Sequence, residues 1–111
     1  MTPDEHFDDI VDDLVPEGVY ASKMFGSRAL KLDRKVFAVV HSDDMVFRLG
    51  AGTPAHAEAL ALAGAELFDP SGMRRPTKGW VVVPVDHADR WPEFARAALG
   101  HLRGELAANR R

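Results

Sequence analysis

Cysteine is missing from all 111 residues. That absence excludes a disulfide framework, a thiolate nucleophile and any zinc site built on cysteine. Long apolar runs are missing too. None approaches the roughly 20 residues that a membrane helix requires, and the opening stretch with Asp4, Glu5, Asp8 and Asp9 is acidic where a secretory signal is basic and then apolar. The expectation is a cytoplasmic protein without membrane contact. An excess of positive charge is also lacking: 17 acidic against 14 basic residues leave a net charge of -3. No global field draws the chain to nucleic acid or anionic lipid, so direct nucleic-acid binding is not expected.

Catalytic patterns are scarce as well. His6, His41, His56, His87 and His101 are scattered, with no pair at the i, i+4 spacing that sets two imidazoles on one helical face. No serine lies in a nucleophile elbow, and no glycine loop carries the lysine and hydroxyl of a phosphate loop. Asp43 and Asp44 are neighbours in a turn and point apart instead of converging on a cleft. The run Gly50-Ala51-Gly52-Thr53-Pro54-Ala55 matches the dinucleotide fingerprint in form. It follows a strand of an antiparallel meander, however, and the fingerprint works in a parallel crossover unit. These observations predict a non-enzymatic protein with no cofactor and no metal.

What the chain does contain is a folding pattern for one domain over residues 1 to 111, centred on the stretch from Met24 to Leu49. Three short apolar segments, Ala29 to Leu32, Val36 to His41 and Met45 to Leu49, are separated by the polar turns Asp33-Arg34-Lys35 and Ser42-Asp43-Asp44. This is the pattern of an antiparallel meander. With two residues in the first turn and three in the second, Leu30, Leu32, Phe37, Val39, Phe47 and Leu49 share the core face. Period two then sends Val36, Ala38, Val40 and Val46 to the other face, where only Lys31 and Arg48 supply charge. Such an apolar sheet face predicts an interface, and a symmetric homodimer is its simplest closure.

Helices flank the meander. Thr2, Pro3 and Glu5 form a capping-box start, and Phe7, Ile10, Val11 and Leu14 then recur at helical spacing until Val15-Pro16-Glu17-Gly18 stops the run. Asp4, Asp8, Asp9, Asp12 and Asp13 occupy much of the opposite side, spread apart as a helix spreads them, and read as a solvated face rather than a cation loop. Val19 and Tyr20 begin an extended approach to Met24. A second helix starts at Pro54 after Thr53 and stops near Gly64, and Glu66-Leu67-Phe68 and Trp80-Val81-Val82-Val83 give a second strand pair. A last helix starts near Pro92 and carries Phe94, Ala95, Ala98, Leu99, Leu102 and Leu106 on one side. Between the two late strands, Arg74, Arg75 and Lys78 form the one local basic cluster, a candidate contact for a partner or an anion. No aromatic side chain is interleaved with these charges, as a surface for single-stranded nucleic acid requires.

Val19-Tyr20-Ala21-Ser22-Lys23-Met24-Phe25-Gly26, Leu32-Asp33-Arg34-Lys35-Val36-Phe37-Ala38, and Gly72-Met73 running through Trp80-Val81-Val82-Val83-Pro84 resemble the N-terminal domain of the TfoX/Sxy family. The resemblance spans roughly residues 5 to 105. It implies a two-layer α+β domain of order α-βββ-α-ββ-α with an antiparallel sheet, similar to the secretion-chaperone architecture. Arg34 stands where members often have glycine, and the chain lacks the C-terminal helical domain of the longer competence regulators. The resemblance implies a bacterial protein-interaction module, accessory to transcription regulation through an unknown protein partner, and transfers no catalytic residue. The alternative is a small-molecule-binding protein or enzyme with a pocket between helices and sheet, using Arg74, Arg75 or His41 as polar contacts.

Overall fold

The structure is a computed structural model and describes residues 2–24, 26–69 and 77–109. Helix α1 (Pro3–Leu14) begins as its sequence requires. The Glu5 amide donates to the Thr2 hydroxyl at 3.2 Å, and that hydroxyl donates to the Glu5 carboxylate. Phe7, Ile10 and Leu14 are the buried face. A 3-10 turn (Val15–Glu17) ends at Gly18 with φ 91°, and the chain enters β1 (Tyr20–Met24). The extended approach is thus itself a strand, and the meander has four strands where the sequence predicted three.

β2 (Ser27–Leu32), β3 (Lys35–His41) and β4 (Asp44–Arg48) follow, then helix α2 (Pro54–Leu60), β5 (Glu66–Phe68), β6 (Thr77–Val83), a 3-10 segment (Val85–Arg90) and helix α3 (Trp91–Asn109). The six strands form one antiparallel sheet in the order β1-β2-β3-β4-β6-β5. The α+β class and the antiparallel sheet follow from the sequence pattern. α2 stops at Leu60, so Ala61 and Ala63 lie past its end, and Gly64 takes φ 82° in the connection to β5.

Two local details set which side each strand residue faces. The β3–β4 connection is Ser42-Asp43 alone, because His41 pairs with Asp44, so the turn has two residues and not three. β3 also carries a bulge: Leu30 pairs with Ala38, yet Lys31 pairs with Val36, which leaves Phe37 as the extra residue. Phe37 and Ala38 consequently lie on the same side. The helix side of the sheet presents Leu30, Leu32, Phe37, Ala38, Met45, Phe47, Val81 and Val83 to α1 and α3, where Phe7, Leu14, Trp91, Phe94 and Leu99 complete the core. Phe47 and Phe94 meet with ring centroids 6.1 Å apart. Trp91 is fully buried at the start of α3, and its indole N–H donates to the Val83 carbonyl at 3.1 Å, which satisfies its polar end.

Charged pairs fasten the helices around this core. Arg28 of β2 lies 4.2 Å over the Phe7 ring and donates to Asp8 at 2.5 Å and Asp4 at 3.4 Å. Two members of the acidic run on α1 therefore hold that helix to the sheet. A third, Asp13, accepts from Arg96 of α3 at 2.9 Å.

Candidate functional site

The sheet side opposite the helices holds a second apolar cluster. Ala29, Val39, Val46 and Val82 form its centre, and Met24, Val36, Phe68 and Trp80 pack around them half-buried. Each of these residues is one step out of phase with the helix-facing set, as the pleat requires. The registers Ala29–Val39, Val39–Val46 and Val46–Val82 carry the row across four strands.

Of the four residues that the sequence assigned to this face, Val36 and Val46 are on it. Ala38 and Val40 are not: Ala38 is fully buried in the helix-side core and Val40 packs against it. Val39, predicted in the core, takes their place on the open side. The Phe37 bulge is the cause, since one extra residue inverts the alternation for the rest of the strand. The shorter β3–β4 turn restores the phase, so Phe47 faces the helices as expected.

The open side is also less bare than the pattern suggests. Val46 is 0% and Val39 4% exposed, because Met24, Val36, Phe68 and Trp80 pack against their cluster. Apolar surface is instead left at the rim, at Tyr20 of β1, which is 41% exposed, and at Val15 in the turn after α1, which is 53% exposed. Among the described residues these two are the exposed large apolar side chains, and sequence reading missed them. The signal that points to Val15 is its place just past the last buried residue of α1, Leu14.

Two concavities open beside the second cluster. One, of about 270 Å³, lies between the end of α3 and the sheet and is lined by Lys35, Val36, Arg48, Leu102, Glu105 and Leu106. Here Arg48 donates through both terminal nitrogens to Glu105, one of them at 3.1 Å to the second carboxylate oxygen. Arg48 beside it holds the Glu105 carboxyl below the usual carboxylate range, with His101 and Lys35 adding to the effect. The other, about 450 Å³, is bounded by His41, Asp44, Glu66, Phe68 and Val82. His41 is exposed there, with its ring edge-on to Phe68 at 5.2 Å, so it lies on the open side and not between helices and sheet.

Other polar residues serve the scaffold. Nε2–H of His56 donates to the Lys78 carbonyl at 2.7 Å, and that of His87 to the Ala63 carbonyl at 2.9 Å. Lys78 itself is exposed in β6. Arg74 and Arg75, its companions in the predicted basic cluster, lie outside the described residues, as do Phe25, Gly72 and Met73 of the family resemblance. The Gly50 to Pro54 run forms a turn: β4 pairs antiparallel on both sides, and Thr53 caps α2 by accepting from the His56 amide at 3.2 Å. Among the described residues no helix is long and apolar enough to cross a membrane.

No family model, no curated protein and no solved structure matches this chain.

Proposed function

We propose that this chain is a non-enzymatic, cytoplasmic protein-interaction module of the TfoX N-terminal type that works as a homodimer. The observation that carries the reading is the second apolar cluster, whose partly exposed Met24, Phe68 and Trp80 lie on the sheet side opposite the helix-side core, with Val36 at its margin beside the end of α3. A sheet face turned to water is ordinarily polar, and apolar side chains left at a surface favour association with another polypeptide. A second copy of the chain is the simplest partner, because a two-fold contact needs no other component. The family resemblance supports an accessory role in transcription regulation exercised through a protein partner, without direct contact to nucleic acid. Sedimentation equilibrium at tens of micromolar tests the reading. A dimer is expected, and a protein that stays monomeric overturns it.

The second reading, a small-molecule binder, rests on the cleft where Lys35 stands near the Arg48–Glu105 pair, beside Val36, Leu102 and Leu106. A thermal-shift screen against small organic carboxylates separates the two. Stabilisation that rises with ligand concentration and disappears in Arg48→Ala favours the binder.

A further inference from the structure

We infer that the second copy adds at the outer edge of β1, joining two six-stranded sheets into one of twelve strands. The inference rests on the self-association reading and places the contact between copies at a sheet edge, which leaves the open apolar face free for the protein partner. β1 is one end of the strand order, and among the described residues no strand lies beyond it. The other edge, β5, is three residues long and irregularly paired, the form in which sheets protect an edge. β1 runs for five residues in regular register with β2. Its first residue, Tyr20, is exposed.

The register of the added strand follows from the hairpin. Met24 pairs with Ser27 across a two-residue connection, which makes that pair mutually hydrogen-bonded. By alternation Ser22 and Tyr20 bond inward to β2, and Ala21 and Lys23 turn their N–H and C=O groups outward. A two-fold axis at Ser22, normal to the sheet, brings Ala21 of each copy opposite Lys23 of the other. All four outward backbone pairs are then satisfied. Ser22 faces its own counterpart, Tyr20 lies across from the partner's Met24, and neither lysine faces the other. An axis at Lys23 would oppose like charges and is disfavoured. Tyr20 and Met24 share the open side with Ser22, so an aromatic–thioether contact bridges the seam there. Because the axis is normal to the sheet, both open faces lie on the same side, and the two apolar clusters become one continuous surface.

The natural chain has no cysteine, so a single engineered thiol reports the geometry. A non-hydrogen-bonded antiparallel pair holds its Cα atoms about 4.5 Å apart, within the range a disulfide spans. Ser22→Cys should therefore oxidise to a linked dimer at concentrations where wild type is largely monomeric. Ala21→Pro removes one outward donor without touching the bonds to β2, and should weaken dimerisation at least ten-fold by sedimentation with the circular dichroism spectrum unchanged. Trp80→Ser, on the far side of the sheet order, should leave the dimer intact. A dimer lost in Trp80→Ser and kept in Ala21→Pro, or a Ser22→Cys protein that resists cross-linking while still dimeric, overturns the edge assignment and leaves self-association standing. A wild-type monomer at all concentrations overturns both.

Discussion

Arg103 of α3 grips Glu17 twice, donating through one terminal nitrogen to the carboxylate and through the other to the same residue's main-chain carbonyl, each at 2.9 Å. Arg96, two turns earlier, donates to the other Glu17 carboxylate oxygen at 2.9 Å and to Asp13. The end of α1 and the turn that launches β1 are in this way tied to α3.

This tie is sensitive to acid. The hydrogen bond from Arg103 is the main influence holding the Glu17 carboxyl below its ordinary range, with desolvation opposing it and the Arg103 and Arg96 charges adding. A carboxyl whose folded-state pKa is depressed stabilises the fold fully above its unfolded value of about 4.3, and loses that contribution as pH falls through the lower folded value. Glu17→Gln should therefore unfold at a lower urea midpoint than wild type at pH 7, with the gap closing on acidification. A gap that is constant with pH would assign the effect to packing and not to charge.

Phe37 and Phe47 are both fully buried on the helix side. Replacing either by alanine should cost about 3–5 kcal/mol, a large share of the roughly 5–15 kcal/mol available to a small domain. Val36→Ala, at the half-buried rim of the second cluster, should cost less than about 1.5 kcal/mol. Chemical denaturation of the three proteins checks the order, and equal losses at Val36 and Phe37 would contradict their placement on opposite sides of the sheet.

Val46 lies on the open side yet is fully buried. Val46→Asp should consequently unfold the domain and not merely release a partner, because an unpaired carboxylate is forced into an apolar cluster. Circular dichroism with near-native secondary structure and an unchanged melting temperature would refute this.

Gly50 takes φ 84°, and a β-carbon on it would overlap the His101 ring. Gly50→Ala should destabilise by more than about 1 kcal/mol from backbone strain alone, with steric overlap added. In the double variant with His101→Ala the steric part should vanish and the backbone part remain, giving a measurable coupling. Additive losses in the double-mutant cycle would mean that the ring moves aside without cost.

Titration of labelled duplex DNA at physiological salt should show binding no tighter than micromolar, because phosphate contact drives such affinity and the chain is net acidic. A sub-micromolar constant that weakens when Arg74, Arg75 and Lys78 are changed to glutamate would contradict it.

Local chemistry made much of the fold legible. Thr2-Pro3 and Thr53-Pro54 mark helix starts through the hydroxyl they offer to orphan amides, and both caps form. The spacing of Phe7, Ile10 and Leu14 gives the buried side of α1. Asp33-Arg34, both at positive φ, close the β2–β3 hairpin with the backbone that a two-residue connection needs. β1 has the sequence of a lead-in, because Tyr20, Ala21 and Lys23 are exposed on an edge and lack the apolar alternation of a central strand.

The sequence by itself determined the three helices, the antiparallel sheet and the burial of Phe7, Phe37, Phe47 and Phe94, since those depend on capping, periodicity and side-chain size within a few residues, whereas the full burial of Trp91 came only with the packing of α3 on the sheet. Only the tertiary structure decided the phase of β3. Whether Phe37 is paired or bulged depends on how the helix-side core is filled, and a one-residue slip there sends Ala38 and Val40 inward and Val39 outward. The same holds for the candidate site. The second cluster draws Ala29, Val46 and Val82 from three strands, and the exposed edge beside Tyr20 exists because strand order, which no local pattern encodes, places β1 last.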